Sequence, residues 1–238
     1  MKKFVKENHN NYDIIICHLI RTVEYLPKEF KGKKILEMTD LYSDNYKQTY
    51  RKLSFLNPLF YLYFVESLLT RKYEKKCFHI FDKIVLVSKK DIKKSKNISS
   101  IKKISYIPMG VDSNENIFSF KKNNNKIIFI GNIKYLPNKI ACLNFANNIL
   151  PRINVYNKNI KFIIIGEISN IDKSFLSKNK NIKVLGSQKN LKMILKNSIC
   201  GISNLDISTG FQSKILTYMS FGLPVICSLK SFNETGFK

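Results

Sequence analysis

Short apolar runs typical of buried strands alternate with helical stretches along nearly the whole chain. In the first half such runs lie at residues 13–19, 35–38 and 82–88. Between the second and third runs, roughly residues 45–78 predict a helical region that is broken near Pro58. This alternation predicts an α/β fold with parallel sheets and right-handed crossovers.

The second half repeats this rhythm after a polar segment. Residues 113–125 are rich in lysine and asparagine and predict a linker between a first domain, residues 1–112, and a second domain, residues 126–238. An apolar run ending in Gly131 opens the second domain, and Pro137 suits the first turn of a helix that reaches about residue 150. Further strands are predicted at residues 161–166, 182–186 and 199–203.

Residues 208–226 predict a loop, a helix and a short buried strand. Gly210 lets the backbone approach a ligand closely at the start of the helix. On a helical wheel, Lys214 and Thr217 share the polar side with Gly210. The opposite, apolar side is predicted to consist of Phe211, Ile215, Leu216, Tyr218 and Met219. A lysine in the first turns of a helix opposes the helix dipole, which predicts a bound phosphate near Lys214.

The same segment resembles a signature of retaining nucleotide-sugar glycosyltransferases of the GT-B fold (group 1, family 4-like). That signature has a glutamate before a Gly-Phe pair, a second glutamate later in the helix, and then Gly, Pro and Val-Ile. In this chain both glutamate positions are threonine, Thr209 and Thr217, while the remaining frame is kept. The run Gln212-Ser213-Lys214 is similar to a Gln-Asn-Lys variant found in one branch of the family.

Other parts of the chain resemble the same branch. Residues 21–25 are similar to an Arg-x-x-Glu-Tyr run and residues 38–40 to a Met-Thr-Asp strand end. Because ligands bind at the carboxyl ends of strands in open α/β sheets, Arg21 and Asp40 are candidate cleft residues, with surface ion pairs as the alternative. The resemblance implies catalytic roles for Arg21, Asp40 and Thr209. It implies that the donor substrate is bound by Gly131, Asn132, Gly210, Phe211, Lys214 and Thr217.

The resemblance implies two Rossmann-like domains, both truncated, and a sugar transferase that uses neither a metal nor a cofactor. The sugar would pass from a nucleotide-diphosphate donor to a polysaccharide, glycan or lipid-linked acceptor. Electrostatic stabilisation of the leaving diphosphate would carry the reaction, because no paired carboxylates suggest a protein nucleophile. The alternative is a truncated, inactive relative that binds or scaffolds a partner enzyme, and the two threonines favour it.

Composition bears on the partners. A formal net charge of +24 raises nucleic acid or an anionic membrane as a partner. Lysine nevertheless far exceeds arginine, and asparagine and isoleucine are abundant, which favours a coding bias over a functional basic surface. No aromatic-basic RNA-binding motif is present, so nucleic acid is not an expected partner. The five cysteines have no metal-site spacing and suit a reducing cytosol.

The sequence also predicts a location. Met1 leads into a polar segment rather than a signal peptide. Residues 53–69 are apolar but contain Pro58 and Glu66, so they predict an interfacial or core helix rather than a membrane span. Glu66, Arg71 and Glu74 are expected on a solvated helical face. The expectation is a cytoplasmic protein of polysaccharide biosynthesis with peripheral contact at the inner face of a membrane.

Overall fold

The computed structural model describes residues 1–95, 103–113, 118–119, 121–205 and 212–235. The chain divides into two compact units, which separate between Met109 and Gly110. Each unit contains one parallel sheet, so the predicted α/β class is confirmed. The linker at residues 113–125 stays a prediction.

The first unit is built on a four-stranded parallel sheet of order β1-β2-β3-β4. The strands consist largely of apolar residues because helices cover the faces of a parallel sheet. The strands are β1 (Ile14–His18), β2 (Lys33–Met38), β3 (Lys83–Leu86) and β4 (Ile104–Tyr106). The helices are α1 (Lys2–Asn8), α2 (Tyr42–Tyr50), α3 (Pro58–Ile80) and α4 (Lys89–Ser95), with 3₁₀ turns at His9–Asn11 and Ile20–Tyr25.

Local sequence sets where these helices begin. Pro58 occupies the first turn of α3, and the Asn57 side chain accepts a hydrogen bond from the Leu59 N–H. The Ser88 hydroxyl accepts from the Asp91 N–H at 3.3 Å, so it caps α4. The predicted break near Pro58 is therefore a true helix start, and the helical region is two helices rather than one.

Glu74 corrects one expectation for α3. Its side chain is fully buried rather than solvated, and it accepts hydrogen bonds from the Ser43 N–H at 3.1 Å and the Ser43 hydroxyl at 2.5 Å. Burial raises the pKa of Glu74, while the bonds from Ser43 act in the opposite direction. Because Ser43 lies in the first turn of α2, the carboxylate satisfies a helix-start N–H that would otherwise lack a partner.

The second unit has a five-stranded parallel sheet of order β7-β6-β5-β8-β9. Its strands are β5 (Lys126–Ile130), β6 (Lys161–Ile165), β7 (Ile182–Gly186), β8 (Ser198–Ser203) and β9 (Val225–Cys227). Its helices are α5 (Leu136–Asn144), α6 (Leu150–Tyr156), α7 (Asn170–Leu176), α8 (Lys192–Leu195), α9 (Ser213–Ser220) and α10 (Leu229–Thr235), with a π-helical turn at Phe145–Ile149. The helix predicted to end near residue 150 thus continues through α6, and Pro151 explains the irregular turn before it.

Both faces of the second sheet are buried, and β5 lies at its centre. Ile127 and Phe129 belong to the core on one face, whereas Ile128 belongs to the core on the other. Such alternation within one apolar strand is expected where helices cover both faces. Within the described residues of the two units, no helix is long and apolar enough to cross a bilayer.

Candidate functional site

The loop after β5 is packed against the loop after β6 through two glycines. The Gly131 N–H donates to the Ile165 carbonyl at 2.9 Å. Gly166 has a φ of 138°, and a Cβ built on it would lie 1.9 Å from the Gly131 carbonyl oxygen. A side chain at Gly166 would therefore push the loops apart. The polar groups of the Gly131 loop are held at the carboxyl end of the central strand.

Asn138, in the first turn of α5, connects this loop to helix α9. Its Nδ2 donates to the Asn132 carbonyl at 2.9 Å, and its Oδ1 accepts from the Lys214 Nζ at 2.7 Å. A Cβ on Gly131 would lie 3.0 Å from the Asn138 Nδ2, so glycine gives this amide its room. Two predicted donor-binding residues, Asn132 and Lys214, are thus joined through one side chain.

Lys214 is buried, with 6% of its surface exposed. Its Nζ lies 4.2 Å from the centre of the Phe129 ring, within the range of a cation–π interaction. Burial lowers the pKa of Lys214 from 10.5 to about 7, and the nearby Cys142 acts weakly in the opposite direction. Among the residues that the structure describes, no carboxylate forms an ion pair with this amine.

The helical wheel misplaced two residues of α9. Lys214 was expected on the polar side, yet it is buried beside Ile215 and Tyr218. Met219 was expected on the apolar side, yet it is 48% exposed. The physical reason is that Asn138 and Phe129 give the amine polar and aromatic partners inside the unit, so Lys214 faces the sheet.

Thr217 and Tyr218 follow on the same helix. The half-buried Thr217 donates its hydroxyl to the Ser213 carbonyl at 3.1 Å, a bond within the helix. Tyr218 is fully buried, and its hydroxyl oxygen accepts from the Ile130 N–H at 2.7 Å. This bond fixes α9 against the end of β5, directly before Gly131. Tyr218 therefore positions the helix that carries Lys214.

The first unit has a separate cavity of about 540 Å³. Arg21 lines it from the 3₁₀ turn after β1, and Asp40 lies in the connection from β2 to α2. The charges of both act on the Tyr42 hydroxyl, whose pKa is raised by burial and by Asp40 and lowered by Arg21. Arg21 and Asp40 therefore each lie close enough to Tyr42 to act on its hydroxyl. The other lining residues are Ile20, Glu24, Tyr46, Leu69, Thr70 and Tyr73.

The tyrosines of this cavity were missed at the level of sequence. Tyr42 and Tyr46 lie one turn apart on α2, and Tyr73 comes from α3. The sequence offered one indication of these tyrosines, because Tyr42 lies only two residues after the predicted cleft residue Asp40. Three further predicted residues, Thr209, Gly210 and Phe211, lie outside the described residues.

Residues 124–236 match the family model described as "Glycosyl transferases group 1". No curated protein matches the chain by sequence. The match covers Gly131, Asn132, Lys214 and Thr217, and leaves out Arg21 and Asp40.

Several solved structures share the fold over nearly the whole chain. TarM superposes with a TM-score of 0.65 at 15% identity, covering 95% of this chain and 43% of TarM. Anabaena Alr3699/HepE in complex with UDP-glucose gives 0.66 at 12% identity, covering 94% of this chain and 62% of that protein. The pneumococcal O-GlcNAc transferase GtfA in complex with UDP and GlcNAc gives 0.61 at 12% identity, covering 95% of this chain and 44% of GtfA.

These similarities show the GT-B fold that the sequence predicts. The chain spans between 43% and 62% of the length of these proteins.

Proposed function

We propose that this chain binds a nucleotide-diphosphate sugar and transfers the sugar to a polysaccharide, glycan or lipid-linked acceptor, because residues 124–236 match the model of the glycosyl transferases group 1 family. The observation that carries the proposal is the bond from Lys214 to Asn138, beside the Gly131 loop. UDP and UDP-glucose in the HepE complexes support a nucleoside diphosphate as the ligand.

The position of Lys214 suits a diphosphate. An ammonium group buried at the first turn of a helix is unfavourable, both for desolvation and because it opposes the helix dipole. A diphosphate next to Nζ would compensate both costs, and a phosphate at a helix start also accepts from the free N–H groups there. In a site of low water content this attraction is stronger than at the surface. The same charge would stabilise the diphosphate as it leaves the sugar.

The cavity of the first unit is the proposed acceptor site. Arg21, which lines the cavity, and Asp40, whose charge acts on the lining Tyr42, supply charges for hydroxyl groups of a glycan. The tyrosine rings offer apolar faces with polar hydroxyls. The catalytic roles of Arg21, Asp40 and Thr209 belong to this proposal, as does peripheral contact with a membrane that holds a lipid-linked acceptor.

Calorimetry with UDP and with uridine tests the donor site. We expect Lys214→Ala to weaken UDP binding about 10- to 150-fold, the range of a hydrogen bond to a charged group. Uridine, which has no phosphate, should bind almost equally to both proteins. Lys173→Ala is the control for removal of a lysine from a helix, because Lys173 is exposed on α7 and should not affect either ligand.

Two results would contradict the proposal. Equal losses for UDP and uridine would mean that Lys214 acts through the structure of the unit. Absence of UDP binding by the unmodified protein, with GDP and dTDP also failing, would remove the donor site altogether.

A further inference from the structure

The first half of α3 presents an apolar face to solvent. Leu62, Val65 and Leu68 are 53%, 49% and 55% exposed, and they point away from the buried side of the helix, which contains Ser67 and Glu74. Just before α3, Phe55 and Leu56 are exposed as well. Single exposed apolar side chains are common, but a contiguous set of this size indicates a binding surface.

The second half of the same helix face is basic. Lys72, Lys75 and Lys76 are exposed and lie on the turns that directly follow Leu68. Arg51, also exposed, borders the apolar residues at their other end. Between residues 51 and 80 the sequence has only two acidic residues, Glu66 and Glu74; neither is exposed, and Glu74 is fully buried.

We propose that this surface, the exposed apolar residues 55–68 with the bordering cations, inserts into the interface of an anionic lipid bilayer. The partner has to accept apolar side chains and to offer negative charge on both sides of them. An anionic bilayer does both, because acyl chains lie beneath a layer of negative headgroups. A soluble acidic protein is the competing occupant, and it would need an apolar groove bordered by carboxylates.

The dimensions of α3 agree with shallow insertion. From Val65 to Lys75 the helix axis rises about 15 Å, so the lysines stay at headgroup level when the apolar turns enter the interface. The long lysine side chains can also extend towards the headgroups. This inference deepens the peripheral membrane contact of the proposed function. Lipid binding is measured without any sugar donor, so its failure and a failure of sugar transfer are distinguishable.

Vesicle sedimentation tests the charge of the partner. We expect the full chain to bind vesicles of phosphatidylcholine with about a third phosphatidylglycerol and to bind pure phosphatidylcholine far more weakly. Lys72→Gln with Lys75→Gln should weaken binding to the anionic vesicles about 30-fold. Lys178→Gln with Lys180→Gln is the control of equal charge, because both lysines are exposed in the second unit.

Fluorescence tests the site of insertion. The sequence contains no tryptophan, so Leu62→Trp introduces a single reporter at an exposed position. Its emission should shift to the blue on addition of anionic vesicles, whereas Val155→Trp, an exposed position of the second unit, should not shift.

Three outcomes would overturn the proposal. The first is binding to neutral and anionic vesicles alike, or to neither. The second is an equal loss in the control lysine pair, which would assign binding to the net charge of the chain. The third is an unshifted Leu62→Trp emission on vesicles that do retain the protein, which would place the contact elsewhere.

Discussion

Replacing Lys214 by methionine removes one buried titratable amine and keeps an unbranched side chain of similar length. In the folded state burial brings the pKa of Lys214 from 10.5 to about 7. The unfolded chain therefore binds the proton more tightly than the folded one between these two values. As the pH rises through this window, the free energy of unfolding should increase. Below about pH 7 both states are protonated, and the contribution becomes constant.

The size of this effect follows from the two pKa values. Between about pH 7 and pH 9, the linkage of Lys214 should add ~2 kcal/mol to the free energy of unfolding. Above about pH 9 the buried thiols interfere, because burial raises the pKa of Cys200 from 9.0 to about 11, so unfolding releases its proton and stability falls. The window below about pH 9 therefore isolates the lysine.

Urea denaturation at a series of pH values measures the effect. We expect the difference in unfolding free energy between the unmodified protein and Lys214→Met to change by ~2 kcal/mol across the window, in favour of the unmodified protein at the higher pH. The lost bond to Asn138 shifts the difference by an amount that does not depend on pH. If the free energies of unfolding of the two proteins change with pH in parallel, the pKa of Lys214 is not lowered. The conclusion that burial desolvates its amine would then be wrong.

Other changes test the remaining assignments. Tyr218→Phe should cost ~1–3 kcal/mol in urea denaturation, because the Ile130 N–H loses its acceptor; an unchanged midpoint would argue against that bond. Arg21→Ala should lower sugar transfer about tenfold or more while UDP affinity in calorimetry stays constant, and a loss of UDP affinity would contradict an acceptor role. Thr217→Glu should tighten uridine binding about 2- to 10-fold if residue 217 faces the ribose; weaker binding would count against this. Limited proteolysis should cut first within residues 113–125, and an earlier cut inside the second sheet would contradict the predicted linker.

The strands could be predicted because strands of a parallel sheet appear in the sequence as short apolar runs. The runs at residues 13–19, 82–88 and 161–166 each contain four consecutive apolar residues, and each contains a strand of the structure. The helix start at Pro137 could also be predicted, and Pro58, predicted as a break, begins a helix, since proline favours the first turn wherever the helix packs. These features depend on neighbouring residues alone.

Two of the errors concern charged side chains whose partners are distant in sequence. A helical wheel assigns Lys214 to the polar side of its helix, and residue type alone assigns Glu74 to a solvated face. Lys214 is instead held by Asn138, 76 residues earlier, and Glu74 by Ser43, 31 residues earlier. Nothing in the local pattern indicates these partners.

Their two environments nevertheless differ in a way that bears on function. Glu74 is buried together with the N–H and hydroxyl donors that its charge requires, so it is explained by the start of α2. Lys214 has one amide acceptor and one aromatic ring, which leave its positive charge without a negative partner among the described residues. Burial of this amine is unfavourable whenever it carries its charge, so stability alone does not explain a lysine at this position. An anionic ligand would supply an explanation, and under the function proposed above that anion is the diphosphate of a nucleotide sugar.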